Sequence, residues 1–521
     1  MRAIPLRPAD AAPVATAATL ALVAVGLGWR GADWPAQLLR LELVERDGPG
    51  MWSNLWFAGH HTPGYGILFP LLGAVFGAAT VAVASCIVAA AAFHVLAHGV
   101  PVAIANRRRT TAASVLFAAG TVVNVAVGRL TFALGLAIGL AALAALQHRK
   151  HGLATALVAL TAPASPVAAV MLGLALAAWA LHTRARRMVA LTVLAVVPVG
   201  LAAVVFPQGG RFPFGFDALV WSLVVAAVVA LWTSARVVRY GAALYAVACV
   251  ATFLVQNPLG ANATRLGMFV AAPILVVTAR RIHPLFAIVL PALVWWQWSP
   301  GLDGIARAGL DPSSTATYHQ PLIAAVQAAG GALGRIEVVP TQRHWETVYV
   351  AAELPLARGW ERQLDIGRNE IFYEGELGAD AYHRWLRDHG VRYVAVADVA
   401  TDPSALQEAA LVRSGLPFLE PVWHDDHWRL WRVVDAIPLV DGPGRLVELG
   451  PTAIVLDVME VEPLLVRVRF TSHWSLDGPG CVAPSPDGWT VVHPEQVGPL
   501  TLRPVLARSL PIVGPLDACR S

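Results

Sequence analysis

The stretch GADWPAQLLRLELVERDGPGMWSNLWFAGHHTPGYG, Gly31 to Gly66, separates a first apolar run, Ala11 to Gly28, from a second, Ile67 to His98. It crowds Asp33, Glu42, Glu45, Asp47, His60, His61 and three tryptophans between two hydrophobic segments, whereas the rest of the N-terminal half keeps its charges in short basic turns. Ionisable side chains held at a bilayer boundary are costly, so chemistry is expected here first.

Outward from that stretch, composition sets the class. Of 521 residues, 56% are hydrophobic and 14% charged, with mean hydropathy +0.59. A soluble chain carries roughly a quarter charged residues, so this is an integral membrane protein. The apolar weight ends near Trp298, which predicts a membrane domain over 1–298, with 31–66 as its first loop. A soluble domain follows, α/β over 299–440 and β-rich over 441–521, divided at the DGPGR patch. The net charge of +4 and pI near 9.0 are explained by membrane topology, and with no basic stripe or aromatic RNA motif nucleic acid is excluded as a partner.

Arg2 and Arg7 precede the first run, which reads as a retained helix with a cytoplasmic N-terminus rather than a cleaved leader. Residues 67–98 predict one tilted helix; 110–128 and 130–146 predict a hairpin. Pro163 and Pro166 break 152–181 into two short helices, and crossings follow at 188–206, 217–233, 240–256, 266–278 and 284–298. Basic turns at Arg107–Arg109, Arg149/Lys150, Arg184/Arg186/Arg187, Arg236/Arg239 and Arg280/Arg281 then all fall on one side. Eleven spans result, with the N-terminus cytoplasmic and the C-terminal domain extracytoplasmic, in the plasma membrane.

Arg129, Arg211 and Arg265 fall on the side that basic residues avoid. They read either as snorkelling or ion-paired side chains or as a cationic collar for a lipid phosphate, with Asn124 and Asn262 in support. Asp33, about five residues beyond the first helix, is a solvated carboxylate, a general base or a cation ligand. His60 and His61 can donate to phosphate or ligate a metal. In the soluble domain Trp345, Glu346, Arg358, Trp360, Glu361, Arg362 and Asp365 combine indoles, carboxylates and guanidiniums, which suits a sugar site or a buried ion-pair network. His424–His427 reads as a hairpin tip within Leu419 to Val434. Cys481 and Cys519 are disulfide candidates if their domain is extracytoplasmic and two thiols otherwise. No P-loop, dinucleotide fingerprint, G-x-S-x-G, H-E-x-x-H or CxxC pair occurs.

A first helix, a large loop opening Gly31-Ala32-Asp33-Trp34 and passing through Trp56-Phe57-Ala58-Gly59-His60, broken helices and a C-terminal domain together resemble the C-superfamily glycosyltransferases (GT-C). The stretch HWETVYVAAELPLARGWERQLDIGRNEIFY, 344–373, also resembles integral membrane proteins of high-GC bacteria, which lend no activity. The GT-C resemblance implies transfer of a sugar from a polyprenyl-phosphate donor to a cell-envelope glycan or glycolipid acceptor. It also implies Asp33 as base or metal ligand, and a divalent cation such as Mg or Mn. Asp33 is followed by Trp34 where many members pair two acidic residues, and no second acidic motif follows. The rival readings are a lipid or solute transporter and a non-catalytic assembly or scaffold protein of the envelope.

Overall fold

The computed structural model describes residues 8–100, 106–207, 210–279, 284–505 and 519. Arg2, Arg7 and the Arg280/Arg281 turn lie outside the described residues. The chain divides into two units: Met1–Gln37 with Gly64–Val204 and Arg211–Leu310, and Leu38–Pro63 with Val205–Gly210 and Asp311–Ser521.

The first unit is helical: α1 (Pro8–Gly26), the start of α2 (Trp34–Asp47), α3 (Leu68–Phe76), α4 (Ala78–His98), α5 (Arg107–Val127), α6 (Leu130–Gln147), α7 (His151–Ala164), α8 (Pro166–Thr183), α9 (Arg186–Val205), α10 (Phe216–Trp232), α11 (Arg236–Leu254), α12 (Thr264–Thr278) and α13 (Phe286–Ala306). Among the described residues, seven segments are long and apolar enough to cross a membrane: α4, α5, α6, α8, α9, α11, and Gly260–Thr278, which contains α12. Ala11–Gly26, α7 and α10 are apolar but shorter. The protein is therefore a membrane protein with a β-rich C-terminal region. About 72% of the apolar window of α5 is enclosed by its neighbours against 17% for α9 and α11, so α5 is central.

Two expected helices are corrected. Residues 67–98 are two helices, because Gly77 adopts φ 81°, ψ 140°, which no helix accommodates and which glycine reaches cheaply. The 152–181 break falls at Ser165, whose side chain caps the amide of Ala168 while Pro166 takes the first helical position. Only α7 is short there, since α8 runs for 18 residues. The soluble part also begins later than 299, because α13 continues through Pro300 to Ala306.

The second unit holds an α/β layer and a β-sandwich. β3 (Arg335–Val338), β4 (Val391–Ala397), β6 (Trp428–Val433) and β5 (Leu419–His424) form a sheet in that order, with β3 and β4 parallel and the others antiparallel. It is accompanied by helices α14 (Ala316–Ala328), α15 (Glu346–Tyr349), α16 (Arg362–Arg368), α17 (Ala379–Asp388) and α18 (Leu406–Arg413). Eight further strands follow: β7 (Val440–Asp441), β8 (Gly444–Leu449), β9 (Ile454–Val458), β10 (Leu464–Arg469), β11 (Trp474–Asp477), β12 (Gly480–Pro484), β13 (Trp489–Pro494) and β14 (Gly498–Pro504). They make two four-stranded sheets, β12-β13-β10-β7 and β11-β14-β9-β8, sharing one core. β7 pairs with β10, so Val440 already belongs to the sandwich and the subdomain boundary precedes 441. Cys481 and Cys519 are joined by a disulfide.

The loop after α2 belongs to this second unit, which corrects its assignment to the membrane domain. Its two short strands, β1 (Trp52–Ser53) and β2 (His60–His61), pair with each other, and Trp52 is buried in the sandwich core against Trp474. Its indole N–H donates to Asn54 Oδ1 at 2.8 Å. Trp52→Ala is expected to cost about 3–5 kcal/mol, the usual range for emptying a buried aromatic site. The readout is an earlier thermal unfolding transition of the C-terminal unit in detergent; an unmoved transition would remove Trp52 from that core.

Candidate functional site

In the membrane unit the chain after α1 is held against the C-terminal end of α5 by its backbone. Gly31 N donates to Ala126 O at 2.8 Å and Asp33 N to Val127 O at 3.1 Å, capturing carbonyls the helix leaves unpaired. Gly31 has no room for a side chain, since a Cβ there would lie 2.7 Å from Ala126 O. Gly128 ends α5 in the left-handed region, and a Cβ on it would meet the carbonyl carbon of Asp33 at 2.6 Å. Trp34 anchors the crossing with an indole N–H to Val125 O at 2.6 Å.

This docking sets Asp33 beside Arg129, the residue between α5 and α6, with Oδ2 3.8 Å from Nε. Arg129 Nε and Nη1 are buried and have no hydrogen-bond partner among the described residues. Arg265, one residue into α12, is the second guanidinium of the cluster, and its charge and that of Arg129 act on each other. Arg265 also lies over the ring of Phe132 at 5.3 Å. Asp33 and Tyr65 are electrostatic neighbours of both arginines. Two cations against one carboxylate leave the cluster net positive, with two nitrogens of Arg129 unpartnered among the described residues. Such an arrangement suits a phosphate or other oxyanion.

Polar groups continue along α5. Asn124, one turn before Gly128, is fully buried, and neither atom of its amide has a hydrogen-bond partner among the described residues. Gln297 on α13 is in the same condition and sits against Gly120, where a Cβ would meet its Oε1 at 2.7 Å. Unsatisfied amides are expensive inside an apolar helix bundle, so their retention marks a polar track from Gly120 to Arg129. Asn262 is half-buried in the 3-10 turn three residues before Arg265. Arg211 is half-buried in the loop ahead of α10.

The remaining expected site residues lie in the second unit, and most have other roles. His60 and His61 are 1% and 3% exposed. His60 stacks on Trp56, and His61 packs edge-on against Trp52 and His473. Burial lowers the pKa of both, and His61 falls to about 3, so they are neutral packing groups rather than phosphate ligands. The expected sugar site is also corrected, since Trp345, Glu346, Arg358, Glu361 and Asp365 are each under 5% exposed. Glu346 accepts from the amide and hydroxyl of Thr341 at 3.1 and 2.6 Å, and Glu361 pairs with Arg40. Arg358 presents Nε and Nη2 to the two oxygens of Asp365 at 3.1 and 2.6 Å, gives Nη1 to Glu408 at 2.9 Å and covers Phe372. A sugar cannot reach donors already spent inside the core. Trp360 and Arg362 alone of that group keep part of their surface, stacked on His344 and bonded to Asp402 respectively.

Among the described residues no group of three or more His, Cys, Asp or Glu side chains is placed to hold a metal. Around Arg129 and Arg265 the donor set is one carboxylate facing two guanidiniums, which fits an anion and not Mg or Mn. No family model matches the chain, and no curated protein matches it. Tyr65 and Gln297 escaped the sequence reading, the first among interfacial aromatics and the second inside the apolar run WWQW. A glutamine in such a run was the available signal.

His344 lies between Asp402, 3.1 Å from its Nε2, and Glu346, 3.6 Å from its Nδ1. Burial opposes its charge, but the two carboxylates outweigh burial and raise its pKa above 6.5. The imidazolium therefore stabilises the folded unit fully at pH below its unfolded value, and that contribution is lost as pH rises through the raised folded value. Thermal unfolding from about pH 6 to about pH 9 is expected to show falling stability in wild type and a flatter profile in His344→Gln. Parallel profiles would contradict the ion-paired imidazolium.

Proposed function

We propose that the protein is a membrane glycosyltransferase of GT-C type, moving a sugar from a polyprenyl-phosphate donor to a cell-envelope glycan or glycolipid acceptor. The observation that carries this reading is the convergence of Asp33, Tyr65, Arg129 and Arg265 in the membrane unit, with two buried nitrogens of Arg129 unpartnered. In this reading the donor phosphate lies on Arg129 and Arg265, whose guanidiniums stabilise the charge that grows as the bond from the anomeric carbon to the phosphate oxygen breaks. The acceptor hydroxyl forms the new bond to that carbon and gives its proton to Asp33, and polyprenyl phosphate leaves. The eleven-span topology, with the cluster and the C-terminal unit on the outer face, belongs to the same proposal and follows the distribution of basic turns.

A second reading, a non-catalytic envelope assembly protein that holds an anionic lipid, is favoured by the ion pair itself. Asp33 3.8 Å from Arg129 is placed to be its counter-charge.

Native mass spectrometry with polyprenyl-phosphate sugars, paired with a transfer assay, separates the two. Arg265→Ala is expected to lose donor binding, whereas Asp33→Asn keeps binding and loses roughly 10²–10⁴-fold in transfer, the range for a removed general base. Full transfer by Asp33→Asn would end the catalytic reading. Donor binding without transfer in wild type would favour the assembly protein.

A further inference from the structure

A second group of cations lies wholly within the C-terminal unit and has no part in the proposed transfer. Arg335, the first residue of β3, is completely buried, and its Nη1 donates to His389 O at 2.8 Å. Its Nε and Nη2 have no hydrogen-bond partner among the described residues. Those two nitrogens form the forked edge that grips an oxyanion with two parallel N–H bonds. The same edge of Arg358, in the same unit, is filled by Asp365. Among the described residues no carboxylate bonds that edge of Arg335: the charged groups acting on it are Arg469 and Arg467.

Arg469 closes the other side. It ends β10 at an irregularity in the pairing with β13, lies over the Trp489 ring at 4.1 Å, and points Nη2 at His389 Nε2 3.4 Å away. Its Nη1 is spent on Asp487 O at 3.2 Å, while its Nε is buried without a partner. His389 donates Nδ1–H to Trp385 O at 2.9 Å, which leaves Nε2 as an acceptor on a neutral ring. Arg368 adds a third guanidinium, held by Nη1 on the carbonyls of Phe57 and Gly59 at 3.2 and 2.5 Å. Phe57 and Ala58 both sit at φ 57°, a conformation costly for side-chain-bearing residues, and Ala58 O accepts from Arg469 N at 2.8 Å. The strained turn thus holds two of the three arginines in place. Burial, with the other arginines, pulls Arg335 and Arg368 down to about 9. Glu361 acts on Arg368 and Asp487 on Arg469, but among the described residues no carboxylate acts on Arg335, and a fully buried guanidinium without a counter-charge is unfavourable unless an anion joins it.

From this geometry we infer a binding site for a phosphate-class oxyanion, either free phosphate or the phosphoryl group of a lipid, gripped by the Nε and Nη2 edge of Arg335 and the Nε of Arg469. Arg335 forms its inner wall. Arg469 and Arg368, both half-buried, form the side nearer solvent. The site shares no residue with the Asp33 cluster, so its test and the transfer assay fail independently.

The test is thermal unfolding of the full chain in detergent, titrated with inorganic phosphate against chloride at matched ionic strength. Wild type is expected to show a saturable rise of roughly 4 °C or more at about a hundredfold excess over Kd. Arg335→Met is expected to lose the rise with little change in starting Tm, because loss of the bond to His389 O is offset by removal of an uncompensated buried charge. Arg469→Gln, at a half-exposed position, serves the same purpose if the first variant fails to fold. Solvent extraction of purified protein followed by phosphorus assay distinguishes the sources: phosphorus in the aqueous phase assigns free phosphate, in the organic phase a lipid phosphoryl group. No rise in wild type, or an equal rise in either folded variant, overturns the site.

Discussion

A guanidinium taken out of water needs acceptors for five N–H groups and a counter-charge, and the burial of arginines governs both units of this protein. Arg358 meets most of the demand, with Asp365 on its forked edge, Glu408 on Nη1 and the Phe372 ring beneath its plane. Glu337 approaches the same guanidinium at 3.9 Å, which places three carboxyls around one cation. Burial pushes Glu408 up to about 7 and Glu337 well above its usual range, so a proton shared between them relieves the excess negative charge. That network is structural and self-contained. Arg129 and Arg335 are answered only in part, and this difference separates framework from candidate site.

Asp33 shows how backbone geometry creates the first of these sites. Its side chain reaches Arg129 because Gly31 and Gly128 let two chain segments approach to hydrogen-bonding distance, closer than any Cβ permits. The pairing keeps two guanidiniums from facing each other alone.

Much of this was legible in the sequence. Hydrophobic run length located most of the apolar helices, and the arginines lying apart from the clustered basic turns singled out Arg129 and Arg265, together with Arg211. The prolines of TAPASP predicted the break that falls at Ser165, and the Leu419 to Val434 reading predicted the β5–β6 hairpin. Gly77 was not legible as a break, because glycine is common inside apolar helices and its positive φ depends on the surrounding packing. His60, His61 and the 344–369 stretch misled for one reason: polar and aromatic residues that serve a binding surface are the same types that satisfy one another in a core.

The amino-acid sequence by itself determined that the chain enters a membrane, along which stretches its apolar helices lie, and that a mixed α/β and β-rich region follows. Those properties depend on run length, periodicity and composition, which are local. The tertiary structure decided that the loop carrying Trp52, Trp56 and the paired histidines is core to the C-terminal unit, and which arginines are matched by carboxylates. Partnering is a property of distance between residues as far apart in the chain as Asp33 and Arg129 or Arg335 and Arg469, and local sequence does not encode which charge a buried guanidinium will meet.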